Sequence, residues 1–136
     1  MKYDLIQVKS AKNPDPSMGG LSFTQDIPFE IKRMYWIYGV EQNICRGHHA
    51  HKRNWQILFC PYGKIDILLD DGKEKETVSL DSPEKALLLP PSLWHEMVWQ
   101  QTDSVLCVAA SELYDEQEYL RNYDQFLEYT GQANKE

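Results

Sequence analysis

The sequence predicts an all-β domain, a β-barrel or two-sheet jelly roll, closed by a short C-terminal helical segment. Short runs of β-type patterning recur between residues 5 and 110, each bounded by turn residues. One run, residues 55–60, is almost wholly apolar, as a strand covered on both faces requires. Beyond Ser111 the apolar spacing becomes helical. With 136 residues, 42% of them hydrophobic and 26% charged, the chain falls in the globular range and has room for one domain. We expect that domain to span residues 1–136, with the barrel over about 1–110 and the helical tail over about 111–130.

In chain order, residues 5–8 and 21–24 are short candidate strands flanking a Pro-, Gly- and Ser-rich stretch. Residues 31–38 make a stronger one. A period of two puts Ile31, Arg33, Tyr35 and Ile37 on one face, with Lys32, Met34, Trp36 and Tyr38 on the other. The apolar run 55–60 is bounded by Pro61 and Gly63. Residues 64–69 then enter Asp70-Asp71-Gly72, a hairpin signal, and return through 74–79. Asp81-Ser82-Pro83 turns the chain into 85–89, Pro90-Pro91 breaks the ladder, and 95–99 and 104–110 complete the β region. In the tail, Tyr119, Leu120, Tyr123, Phe126 and Leu127 lie near helical spacing. Ser111 or Asp115 can cap a start, and Gly131 supplies a stop. These aromatics read as a packing face rather than a binding site.

The formal net charge of −7 argues against nucleic acid or an anionic membrane held by the overall field. An anionic small molecule would need a local basic pocket. Cys45, Cys60 and Cys107 are odd in number and lack CxxC spacing, so they read as reduced thiols rather than a disulfide framework. The N-terminal residues lack the apolar core of a signal peptide, and no stretch approaches the roughly 20 apolar residues of a membrane span. A cytoplasmic protein is the expectation.

The chemistry concentrates in Arg46-Gly47-His48-His49-Ala50-His51-Lys52. On a strand, His49 and His51 share a face and His48 points away. Gly47, His49, His51, Gln56 and Gly63 follow the first cupin motif in its HxH-x4-x-x6-G part, and His95 stands where the second motif places its histidine. Metal-binding cupins carry Glu at the position of Gln56. A neutral amide is the weaker ligand for a divalent transition metal, although three imidazoles could still hold one. Imidazole titrates near neutral pH, so paired rings in a barrel mouth suit acid–base work without a metal. Arg33, Arg46 and Lys52 could form the basic pocket for phosphate oxygens, guanidinium forks being suited to them. A metal-dependent cupin enzyme, an epimerase of related barrel fold and a non-catalytic sugar-binding cupin remain alternatives.

Several further segments occur in order with that motif. Residues 27–35 read IPFEIKRMY, followed by Leu69-Asp70-Asp71-Gly72, Leu80-Asp81-Ser82-Pro83 and Trp94-His95-Glu96-Met97. A tail with Tyr114-Asp115-Glu116, Tyr119-Leu120-Arg121 and Tyr123-Asp124 closes the series. Together they cover about residues 21–129 and resemble the TDP-4-keto-6-deoxyglucose 3,4-ketoisomerases, small cupins of deoxyaminosugar biosynthesis. The resemblance implies an isomerase that needs no cofactor and moves a ketone from C4 to C3. It also implies a homodimer with exchanged N-terminal strands. It places the catalytic roles on His49, His51 and Tyr35. Our own reading of the residues adds Arg33, Arg46, Lys52, Gln56 and His95 as substrate-binding candidates. Near the N-terminus the chain departs from the family pattern at Met18-Gly19. Neither residue can donate a side-chain proton, which leans the expected product toward the galacto form.

Overall fold

Alternating burial along successive strands builds two antiparallel sheets that face each other. The computed structural model describes residues 3–7, 10–12, 19–21 and 27–132. The strands are β1 (Asp4–Gln7), β2 (Ser10–Lys12), β3 (Gly19–Leu21), β4 (Arg33–Ile37), β5 (Cys45–His51) and β6 (Gln56–Tyr62). They continue with β7 (Ile65–Asp70), β8 (Lys75–Leu80), β9 (Lys85–Leu89), β10 (Trp94–Trp99), β11 (Val105–Ala110) and β12 (Tyr119–Leu120), and one helix, α1 (Tyr123–Tyr129), follows. One sheet has the order β1-β9-β6-β11-β4, the other β12-β5-β10-β7-β8, and β2 and β3 pair separately. This is the cupin-type jelly roll that the strand spacing predicts. Met18 and residues 22–24 of the second candidate strand lie outside the described residues.

Between the sheets sits the main core. Leu58, Cys60, Leu87, Leu89, Leu106 and Val108 come from the first sheet, and Ile65, Ile67, Leu69, Leu80, Met97 and Trp99 from the second. Within the run 55–60, residues 57–60 are covered on both faces, as expected, whereas Trp55 precedes β6 and is 37% exposed. Leu58 and Cys60 enter this core, while Ile57 and Phe59 join Ala86, Leu88 and Ala109 on the outside, where Ile27, Phe29 and Ile31 cover them. The predicted hairpin at Asp70-Asp71-Gly72 joins β7 to β8, pairing Asp70 with Lys75. No helix among the described residues is long and apolar enough to cross a membrane.

The tail departs from the expected helices. It forms a 3-10 turn (Glu116–Glu118) capped by the Asp115 side chain, then β12, and only then α1, capped by Asn122. Helical spacing there is interrupted because Tyr119 and Leu120 pair with His51 and Ala50, adding an edge strand to the second sheet. Helix α1 docks Phe126 against Ala50, Trp94 and Leu120 on that sheet's outer face.

Candidate active site

The pairing of β5 with β10 contains an irregularity that orients the histidines. His95 lies opposite His49 but Glu96 lies opposite Gly47, so His48 is an extra residue on β5. Gly47 (φ 94°) and His48 (φ 59°) both adopt positive φ there. A Cβ on Gly47 would meet Met97 Sδ at 2.7 Å and the His95 carbonyl at 3.0 Å, so glycine is required for conformation and for space. The bulge leaves His48 exposed, its Nδ1 3.1 Å from Glu96 Oε1, as its predicted outward direction demands. His49 and His51 turn inward together. Their ring centroids are 5.0 Å apart, and His95 lies 4.6 Å from His49 and 5.9 Å from His51.

The opposite sheet supplies the other wall. Gln56, on the inward side of β6, is buried and donates from Nε2 to the Tyr35 hydroxyl at 3.4 Å. Arg33 lies with its Cζ 4.5 Å from the Tyr35 ring and 5.3 Å from that of Tyr114. The site is therefore the polar end of the interior that the main core fills. Among the described residues, His49 Nδ1, His51 Nε2 and Gln56 Oε1 are the buried side-chain polar atoms without a hydrogen-bond partner. Buried polar groups are nearly always satisfied, so three such atoms at this polar end of the interior mark a place suited to a ligand.

Burial, reinforced by neighbouring imidazoles, lowers the proton affinity of these rings. His49 is pushed down to about 3 by burial and then by His95, and His51 to about 2 by burial and then by His95 and His49. His95 falls to about 4, chiefly through burial. The expectation that they titrate near neutral pH is thus corrected, because three buried rings side by side disfavour any imidazolium. His51 Nδ1 lies 3.1 Å from Glu118 Oε2, and His95 Nδ1 lies 3.1 Å from the Leu93 carbonyl. A neutral His95 donates to that carbonyl, which can only accept, and keeps its Nε2 bare. Burial raises Tyr35 to about 12, so its phenol stays protonated.

These rings offer nitrogens within 4.8 Å of one another, a set that could hold a divalent cation, with the Gln56 amide where a metal site uses a carboxylate. Of the remaining candidates, Arg46 is exposed on β5 opposite Met97. Lys52 is not brought to the rings. Its Nζ lies 5.9 Å from the Tyr129 ring, beside α1, because it alternates outward from His51. Cys45 lies on the outer surface with Sγ 3.9 Å from Glu96, grouped with exposed His48 and not with the His49, His51 and His95 rings.

Against known proteins, the family model described as FdtA: WxcM-like, C-terminal, matches residues 1–131. The TDP-4-oxo-6-deoxy-alpha-D-glucose-3,4-oxoisomerase of Aneurinibacillus thermoaerophilus is 38% identical over 136 residues, covering 100% of this chain and 98% of that protein. The chain belongs to the sugar-nucleotide 3,4-ketoisomerase family. It is accordingly an isomerase. Among solved family members, a 3,4-ketoisomerase from Helicobacter canadensis superposes with a TM-score of 0.90 at 34% identity, covering 96% of this chain and 98% of that one. QdtA, a sugar 3,4-ketoisomerase from Thermoanaerobacterium thermosaccharolyticum solved with TDP, gives 0.89 at 36% identity, covering 98% and 97%.

Within this family fold, two residues at the rings escaped sequence reasoning. Tyr119, assigned to a packing face, lies 4.4 Å from the His51 ring and 5.1 Å from that of His49. Arg121 lies with Cζ 4.3 Å from the Tyr119 ring centroid and pairs with Glu116. Glu118 is buried beneath His51. A carboxylate within an apolar-spaced segment was the available signal, since buried Glu is rare without partners.

Proposed function

We propose that the chain is a TDP-4-keto-6-deoxyglucose 3,4-ketoisomerase that uses no metal, and that its three unpartnered buried atoms are where the sugar binds. Those atoms at His49, His51 and Gln56 are the observation that carries the reading. Relatives named for this reaction, and one solved with TDP, support the substrate class.

The C3 proton is acidic because it neighbours the C4 ketone. Neutral His49 removes it, the electrons form the C3–C4 double bond, and O4 gains negative charge as an enediolate. His51 and Tyr35 shuttle protons between O3 and O4, and a proton delivered to C4 regenerates a carbonyl at C3. No electrons leave the sugar, so no redox partner is needed. A positioned base contributes roughly 10²–10⁴-fold in rate. With acid–base rings gathered in one cluster, the proton returns on the ring face it left, which gives the galacto product.

Gln56 and His95 bind the sugar. Arg33 and Arg46, with Lys52 less directly placed, serve the diphosphate. The chain acts as one domain in a homodimer that exchanges N-terminal strands, and three unpaired thiols suit the reducing cytoplasm. The test is incubation of full-length protein with TDP-4-keto-6-deoxyglucose in deuterated water with chelator, read by NMR. We expect a 3-keto product carrying deuterium at C4, a small H4–H5 coupling of the galacto form in a parallel run in ordinary water, and a rate the chelator leaves unchanged. Loss of turnover on chelation, restored by a divalent metal, would overturn the metal-free mechanism.

A further inference from the structure

Glu118 is only 3% exposed, yet no Lys or Arg side chain hydrogen-bonds it among the described residues. Three N–H groups compensate its burial. Its Oε1 accepts from the Asn54 backbone at 2.8 Å, and Oε2 from the Lys52 backbone at 3.1 Å, with His51 Nδ1 also 3.1 Å away. The backbone around it is equally fixed. Lys52 N–H also donates to the Glu118 carbonyl at 3.0 Å, and the next residue, Tyr119, pairs with His51. The β12–β5 pairing thus fixes the backbone from which the carboxylate reaches His51.

An ionised carboxylate can only accept hydrogen bonds. A neutral His51 facing it must carry its proton on Nδ1 and leave Nε2 bare. His51 Nε2 is one of the buried atoms that find no partner. We propose that Glu118 is a positioning residue for the reaction, holding His51 in the Nδ1–H tautomer so that Nε2 faces the sugar as a proton acceptor. When Nε2 takes a hydroxyl proton, the same carboxylate stabilises the resulting imidazolium, the service a buried carboxylate gives histidine in hydrolytic triads. This deepens the ketoisomerase reading and rests on it.

The first measurement needs no substrate. Nitrogen-15 NMR of histidine-labelled, full-length protein at neutral pH, with the His51 signals assigned through His51→Asn, reports the tautomer directly. The expected result is a protonated Nδ1 and a bare Nε2. Glu118→Gln places an amide against the ring, so a fraction moves to the Nε2–H tautomer. In that variant kcat falls about 100-fold while KM changes less than about threefold, and Glu118→Asp recovers part of kcat. A merely structural role would lower Tm without moving the tautomer. The proposal is overturned by a bare Nδ1 on His51 in the parent protein, or by a changed tautomer in Glu118→Gln with kcat intact. If Glu118→Gln does not fold, the parent spectrum and Glu118→Asp decide. If the parent protein turns over no TDP-4-keto-6-deoxyglucose, the proposed function fails, while the His51 spectrum still decides what Glu118 does to the ring.

Discussion

At the scale of single residues, lowering the proton affinity of His49, His51 and His95 has a consequence beyond catalysis. An unfolded histidine binds its proton with a pKa near 6.5, whereas these rings are held down to about 3, 2 and 4. Below about pH 6.5 the unfolded chain therefore takes up protons that the folded chain refuses, and stability falls as pH drops. Glu118, raised by burial, works in the opposite direction, one group against three. We expect Tm to decrease steadily between pH 7 and 4.5, and His49→Asn to flatten that slope; a Tm constant over the range would show that the rings keep ordinary proton affinity. The residue types of the site were legible in the sequence because HxH fixes two rings on one face whatever the loops do. Their protonation was not, because it depends on how closely His95 approaches from another strand, and spacing along the chain carries no such distance.

At the scale of elements, the strands were readable where turn chemistry or alternation left one solution. Residues 85–89 are a strand with the bounds expected, and Asp70-Asp71-Gly72 makes its hairpin. Gly63 shows why the motif glycine is needed, since a Cβ there would lie 2.0 Å from Ser104 Oγ at a φ of 95°. The tail was misread because its apolar residues serve two faces. Phe126 and Leu120 pack under the outer face of the sheet, while Tyr119, the neighbour of Leu120 in β12, points to the histidines. A helical reading averages over that division. Docking of α1 therefore matters to the site, since it anchors the segment carrying Glu118 and Tyr119. Phe126 is fully buried, so Phe126→Ala should cost about 3–5 kcal/mol. Chemical denaturation measures the loss. Isomerase activity should fall well before the barrel unfolds, whereas loss of both at one denaturant concentration would show that the tail and barrel are a single cooperative unit.

At the scale of the whole molecule, the outer faces of the two sheets are covered in part. Ile27, Phe29 and Ile31 lie over the first sheet, and α1 lies over β5, β10 and β12 of the second, leaving Leu68 of β7 exposed. Beyond Ile31 the cover ends at β4, the edge strand of the first sheet. There Met34, Trp36 and Tyr38 are 55%, 63% and 70% exposed. An edge strand carrying large apolar side chains invites pairing, and proteins that keep one usually cover it. In the proposed homodimer a second copy supplies that cover, and burying a tryptophan at the contact gives it the character of a binding hot spot. Exchange of β1, which lies at the other edge against β9, is compatible with this, because it swaps the source of the strand and keeps the ladder. Sedimentation should therefore give about twice the 15.9 kDa chain mass at micromolar concentration. Trp36→Glu, which places a charge in the middle of the strip, should weaken association at least about tenfold while leaving the histidine cluster on the inner face untouched. A chain that sediments as a monomer throughout would leave this strip as plain exposed surface, and the proposed dimer would fall with it.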